Sequence, residues 1–413
     1  MTRVTIPTGK QWPRELPETW MLIPSKGAFS ERREKSIPDD VHLTPSQAYG
    51  ILPQAEYIAV SGNRVVQNLE GQDNMKHVEP DDFVIHLRSF QGGIEWSGLT
   101  GKVSMAYTVL TPRNAVLPAY YRWLLKSEGY IQELRSTTDQ LRDGQSISYT
   151  TFGKVPLPLP PRDEQQHIAS YLDRETAEID AFIADQECLI ELLNERRGAT
   201  IASMLNADES VSHVPLKYCS EMQTGLTLGK TYSESTTEYP YLRVANVQVG
   251  GVALTNVTTI AVPEDVAASC LLRENDVLMT EGGDRDKLGR GAIWHAEISP
   301  CLHQNHVFAI RCDQSLLPEY LVYVLEDKPA RAYFEVTGKQ TTNLASTNST
   351  IVKSLRLPLP SVDRQTTLVK ELDERLGEIT AMITDAQQAI ALSRERRSAL
   401  ITAVVTGQIE VPS

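Results

Sequence analysis

The chain has 413 residues, 41% apolar and 23% charged, with a net charge of −13. It is too long for one ordinary domain and has enough apolar residues for more than one core. The opening MTRVTIPTGKQWPRELPETW lacks the apolar centre of a secretory leader, and no run of about 18 uncharged apolar residues occurs, so a cytoplasmic protein without a membrane span is expected.

Taken in chain order, residues 1–156 alternate short β-like runs, YIAVSGNRVV (57–66) and DFVIHLR (82–88), with Gly, Asn and Asp turns before closing in short helical stretches. They predict a mixed α and β domain. At Leu157 the proline-punctuated LPLPP opens a segment with helical period through residue 205, in which Ile168, Leu172, Ile179, Phe182, Ile183, Leu189, Ile190 and Leu193 recur at steps of three and four. The prolines cannot sit inside the helix, which makes Asp163 a candidate N-cap. Residues 206–356, entered through the polar linker NADESVS, return to β-like runs: YPYLRVANVQV (239–249), DVLMT (276–280) and HVFAIRC (306–312). From 357 to 413 the long-helix pattern comes back, with Asp363 at its start and Leu368, Leu372, Leu376, Ile379, Ile383, Ile390 and Leu400 on its stripe.

The second half repeats the first at a shift of 200 residues without a gap: LPLP, Gln165, Leu172, Asp173, Ile179, Ile183 and the Glu-Arg-Arg at 195–197 all recur, and upstream LPAYYRWLL (117–125) pairs with LPEYLVYVL (317–325). Two copies of so long a unit describe a duplicated half rather than a solenoid. The expected fold is α+β: two mixed domains separated by two long antiparallel, coiled-coil-like helices, with an internal pseudo-twofold. Each helix of roughly 40 residues would extend about 60 Å and needs a partner for its narrow stripe, which its own copy supplies.

Net charge by segment is 0 for residues 1–156, −6 for 157–205, −5 for 206–356 and −2 for 357–413. The first long helix therefore holds nearly half of the excess, and basic patches remain open elsewhere. The five cysteines are an odd number without a CxxC pair, so reduced, mostly buried thiols are expected.

Motifs for catalysis fail on inspection. GLTLGKT (225–231) has three residues between its glycines where a phosphate loop needs four, and SGLTGKV lacks a hydroxyl residue after Lys102. His295, Cys301, His303 and His306 collect in HAEISPCLHQNH without a fourth segment to complete a metal shell. There is no GxSxG, no HExxH and no Asn-Pro-Pro-aromatic tetrad. No catalytic residue and no metal are assigned. What remains are polar loops in which Arg, Lys, Asn and Gln, suited to guanine and adenine edges, stand among glycines that let a backbone approach phosphate. In the first half these loops contain Arg88, Ser89, Gln91, Gly92, Gly93, Trp96 and Lys102, then Arg142, Gly144, Gln145, Ser146 and Tyr149. In the second they contain Arg243, Asn246 and Gln248, Gly283, Arg285, Lys287 and Arg290, then Gln304, Asn305 and His306, and finally Lys339, Gln340, Thr341 and Thr342. A helical adaptor that binds no DNA and a metal-dependent hydrolase are the readings from other classes.

The order of globular segment, LPLP with Asp and Gln, long helix, and the whole again resembles the specificity (S) subunit of type I restriction–modification systems over essentially the entire chain. YPYLRVANVQ, EGGDRDKLGRG, CLHQNHVFAIR and KQTTNLAS are similar to one class of that family's target recognition domains, and LRDGQSISY to another. The first copy keeps the family's Glu-Gln at Glu164 and Gln165, while the second has Arg364 before Gln365. The resemblance implies target recognition domains at 1–156 and 206–356, with conserved spacer helices at 157–205 and 357–413. It implies a non-catalytic subunit that reads an asymmetric, bipartite double-stranded DNA target, one half-site per domain, with the helices setting the spacer. Two methyltransferase (M) subunits would bring S-adenosylmethionine and methylate adenine at N6. Restriction (R) subunits would add ATP- and Mg-dependent cleavage, so this chain itself holds no cofactor. The helix residues Asp163, Gln165, Asp173, Arg196, Arg197, Asp363, Gln365, Asp373, Arg396 and Arg397 are then expected to meet partner subunits.

Overall fold

The computed structural model describes residues 3–62, 74–86, 92–137, 147–248, 250–283, 288–340 and 345–412. Two helices of 44 residues dominate the chain, α1 (Arg162–Leu205) and α2 (Val362–Val405). Each begins one residue before the aspartate expected to cap it. Asp163 and Asp363 therefore stand in the first turn, where a carboxylate still offsets the positive end of the helix. The chain divides into two compact units, one made of 1–186 with 388–413 and the other of 187–387, so each long helix contributes to both.

The first unit is built on a four-stranded antiparallel sheet of β1 (Phe29–Arg32), β2 (Phe83–Ile85), β3 (Ile94–Trp96) and β4 (Thr108–Pro112) in the order β1-β4-β2-β3. Phe29, Phe83, Ile85 and Leu110 pack from it against Tyr120, Tyr121, Leu124 and Leu134 of the helices Pro118–Leu124 and Glu128–Ser136. The same core takes Ile168 and Leu172 from the start of α1 and Ile401, Val404 and Val405 from the end of α2. The two helices thus meet antiparallel, and Arg397 ion-pairs with Asp180 across the contact at 2.8 Å.

The second unit has β5 (Ser220–Thr224), β6 (Val277–Thr280), β7 (Gly291–Ile293) and β8 (Val307–Cys312) in the order β5-β8-β6-β7, the same order again. Its core joins Met279, Phe308 and Ile310 to Tyr320, Leu321 and Phe334 of the helices Pro318–Glu326 and Lys328–Thr337. Leu193, Ile201 and Leu205 of α1 and Leu368, Leu372, Leu376 and Ile379 of α2 complete it. Phe182 and Leu189, expected on the buried stripe, are exposed instead, because the seam is narrower than the full apolar arc. YIAVS, expected as strand, is the end of the helix Gln54–Ser61, capped by Gly62 at φ +67°. All five cysteines are free, and Cys188 departs from the expected burial by lying exposed on α1.

The recurring LPLP has a mechanical role. Leu157–Leu159 pairs with Met21–Ile23, and Arg356–Pro358 with His213–Pro215, each as a two-stranded ribbon in which prolines lose no interior ladder bond. The glutamine that follows locks the ribbon to the helix. Gln165 is buried; its Oε1 accepts from Leu117 N at 2.8 Å, and its Nε2 donates to the carbonyls of Ala115 at 3.1 Å and Pro160 at 2.9 Å. Gln365 repeats the clamp on Leu317 N, Ser315 O and Pro360 O at 2.8, 2.8 and 2.9 Å.

Gln165→Ala is expected to lower the stability of the first unit by about 2–3 kcal/mol, since an amide N–H and two carbonyls lose buried partners. Gln165→Glu should be as damaging, because a carboxylate cannot donate to Ala115 and Pro160. Urea unfolding of the purified variants is the check, and an unchanged midpoint for both would contradict the clamp.

Candidate nucleic-acid interface

In the second unit, three polar strings that lie far apart in sequence converge at one end of the sheet. β6 ends at Thr280, and Gly282–Gly283 then pairs with Ala345–Ser346, which pairs in turn with Lys339–Gln340. Glu281 ties them together: its N–H donates to His306 O at 2.8 Å, its carbonyl accepts from Thr347 N at 2.7 Å, and its carboxylate meets His306 Nδ1 at 2.6 Å. Residues 281–283, 306, 339–340 and 345–347 therefore meet at one place. Lys339 and His306 are exposed there, and Gln304 and Asn305 are half-buried.

The first unit is arranged alike. His86 follows β2 and its N–H donates to Gly93 O at 3.0 Å, so residues 86 and 93 meet at this end of the sheet. Thr108, paired with Ile85, donates its hydroxyl to Ile147 O at 3.3 Å, which brings residue 147 to the same end. Arg88, Ser89, Gln91, Arg142, Gly144, Gln145 and Ser146, with Arg285, Lys287, Thr341 and Thr342 of the second unit, lie outside the described residues.

Several expected DNA contacts are occupied within the fold. Trp96 donates its indole N–H to Asp81 at 3.0 Å and lies under the Arg122 guanidinium at 5.5 Å. Tyr149 donates its hydroxyl to Phe29 O at 2.9 Å. Asn246 is buried and holds a tight turn, accepting from Arg243 N and donating to Ala253 O, both at 2.8 Å. Gly92 and Gly93 are buried at the base of their loop. Lys102 belongs to a different two-stranded ribbon, Gly101–Val103 with Lys76–Val78. Arg243 donates to Asn256 O at 3.2 Å and Gln248 to Ala245 O at 2.7 Å, while Arg290 is half-buried.

On the long helices, Gln165 and Gln365 are removed as partner surfaces by the internal clamp just described. Asp173 accepts from Arg122 and Trp123, Asp373 from Tyr323, and Arg197 pairs with Glu326 at 2.9 Å. Asp163, Asp363, Arg196 and Arg396 are exposed. The sequence reading passed over Glu164, whose carboxylate receives Arg3 and, at 2.8 Å, the Trp20 indole N–H. Its replacement by Arg364 was the available signal: in the second unit this position faces Asp208 of the linker.

Two residues of the HAEISPCLHQNH string are engaged inside the fold. His303 is fully buried with Nδ1 on Val307 O at 2.6 Å, and Cys301 lies buried with its thiol pushed up to about 12 by loss of solvent. Among the described residues no three His, Cys, Asp or Glu side chains gather as a metal shell, and no helix is long and apolar enough to cross a membrane. GLTLGKT runs alongside His303, whose carbonyl accepts from Leu226 N at 2.7 Å.

The architecture matches solved structures. A chain from a type I restriction–modification system, studied for its complex assembly and conformational transition, superposes with a TM-score of 0.67 at 15% identity, covering 96% of this chain and all of that one. The HsdS subunit of Thermoanaerobacter tengcongensis gives 0.52 at 14% identity over 96% of this chain and 99% of its own. In sequence, the type I restriction enzyme EcoKI specificity subunit of Escherichia coli K12 is 22% identical across 96% of this chain and 90% of its own length. The StySPI specificity subunit of Salmonella potsdam is 20% identical over 80% and 75%. No family profile matches. The fold is that of these type I specificity chains, and the likeness in sequence to type I specificity subunits runs over nearly the whole chain.

Two buried histidines give the units opposite responses to pH. Burial lowers the His303 pKa, outweighing the pull of the Val307 carbonyl and Asp276. Unfolded chains thus take up that proton first, and the stability it supports is lost as pH falls below about 6.5. At His77, burial is outweighed by hydrogen bonds to Asp40 and Glu79, both 2.8 Å, and the pKa is raised. Its stabilisation is complete below about 6.5 and is lost as pH rises through the folded value. Amide exchange, corrected for intrinsic rates, should show residues 300–312 opening more readily at pH 5.5 than at 7.5 and residues 74–86 doing the reverse. His303→Gln should flatten the first trend, and parallel trends in both segments would contradict these assignments.

Proposed function

We propose that this chain is the DNA-reading subunit of a type I complex, and that each unit reads one half of an asymmetric, two-part target. The observation that carries the reading is the convergence, in each unit, of separate polar, glycine-bearing strings at the end of a sheet whose strand order recurs while its loop sequences do not. Equal frames with unequal loops suit two half-sites of unrelated sequence. Arg, Lys, Asn and Gln in those strings match base edges in the major groove. The recurring strand order and the 200-residue sequence shift favour an internal duplication.

The chain works without chemistry of its own. Its partners on this reading are methyltransferase subunits, which bring S-adenosylmethionine and take the target adenines out of the stack. Restriction subunits add ATP-driven cleavage. Net charges of 0 and −5 on the segments 1–156 and 206–356 leave much of the phosphate neutralisation to those partners. The exposed helix faces, acidic overall on α1 and mixed in charge where Asp163, Asp363, Arg196 and Arg396 stand, suit protein contact better than DNA contact.

Changing Arg142 or Gln145 should weaken reading of one half-site only, and changing Asn305, Lys339 or Gln340 only the other, each by about 1–3 kcal/mol where a base contact is lost. Methylation profiling of cells carrying each variant with its methyltransferase decides it. Equal effects of both sets on both half-sites would overturn the two-reader assignment.

A further inference from the structure

In each unit the chain re-enters the fold after its first recognition loop in the same way. Residue 92 follows 87–91, and residue 288 follows 284–287. Lys126 Nζ donates to Gly92 O at 3.1 Å and pairs with the buried carboxylate of Glu95, which also lies 3.7 Å from His86 Nε2. In the second unit Arg331 donates to Leu288 O. Both cations come from the helical pair that packs on the sheet, Lys126 between its two helices and Arg331 within the second.

A glycine sits beside each anchored carbonyl, pressed on that same second helix. Gly92 has φ +95°, and a Cβ there would stand 2.8 Å from Ile131 Cδ1; Gly289 has φ +77°, and its Cβ would stand 2.4 Å from Phe334. No other residue fits either position without strain. The helical pairs are themselves fastened to the long helices, through Arg122 and Trp123 on Asp173 and through Tyr323 on Asp373. A continuous set of polar bonds therefore runs from each long helix to the point where a recognition loop returns.

We infer that Lys126 and Arg331 are positioning residues for DNA reading, each fixing the exit of one loop so that its side chains meet their half-site in a single register. This rests on the reading that residues 87–91 and 284–287 face DNA. Neither cation touches a base on this account. Their loss blurs recognition instead of changing its preferred sequence, since the backbone at Gly92 or Leu288 is then no longer held in one place while every base-facing side chain is kept.

The test uses the full chain co-expressed with its methyltransferase, with methylation read on a library of single-base variants of the target. Lys126→Met should lower discrimination at one half-site about tenfold, the worth of one charge-assisted hydrogen bond, and leave the other intact. Lys126→Arg should restore it, and Arg331→Met should relax the opposite half-site. A merely structural role would reduce methylation without changing its base preference. Ile131→Ala, which removes the support of Gly92 and keeps the charge, should blur the same half-site as Lys126→Met and serves if that variant does not assemble. Full discrimination in both Lys126→Met and Ile131→Ala, beside its loss in Arg88→Ala, would overturn the inference. If Arg88→Ala and Arg285→Ala also keep full discrimination, the DNA-facing assignment of the loops is what fails.

Discussion

Everything in this fold depends on covering the apolar seams of two 44-residue helices that are otherwise polar and acidic. A helix of that length with a narrow stripe does not stay folded alone, and its isolated turns gain too little from propensity. The chain resolves this by running α1 and α2 antiparallel, so that the start of one meets the end of the other within each unit. Ile168 and Leu172 share a core with Ile401 and Val404, and Leu193 and Ile201 share one with Leu368 and Leu372. The helices are thereby part of the globular cores. That is why segments expected as separate spacer elements divide at residues 186 and 387 between two compact units.

The repeat is then a repeat of fastenings. LPLP supplies a ribbon strand, the glutamine clamps that strand to a helix start, and the aspartate about two turns later takes hydrogen bonds from the helical pair. These residues recur because their partners are backbone atoms or structurally equivalent side chains. Position 164/364 differs because the segment entering each unit differs. Glu164 holds Arg3 and Trp20 of an arm that also meets the end of α2, where Arg3 N donates to Gln408 O at 3.4 Å. Arg364 faces the covalent linker.

Period and repetition were legible in the sequence because they are local or self-referential. Helix length, the LPLP boundary and the equivalence of Gln165 with Gln365 needed no tertiary knowledge. The internal hydrogen bonds of Trp96, Tyr149 and Asn246 were illegible, since nothing in a Trp or Tyr near glycines says that its polar atom will find Asp81 or Phe29 O first. Glu281 escaped notice for the opposite reason: it binds His306 and Thr347 through contacts that exist only once three distant strings have met. YIAVS reads as strand by its residues, yet it ends a helix because Gly62 supplies a left-handed cap.

The central claim is that two unlike readers share one frame. It is tested most directly by mapping N6-methyladenine across the genome of cells that express this chain with its methyltransferase, against cells lacking only this chain. The account predicts methylation that depends on the chain and falls in a single asymmetric motif of two specified blocks around an unspecified gap of fixed length. A continuous motif without a gap, or a methylation pattern indifferent to the chain, would contradict it.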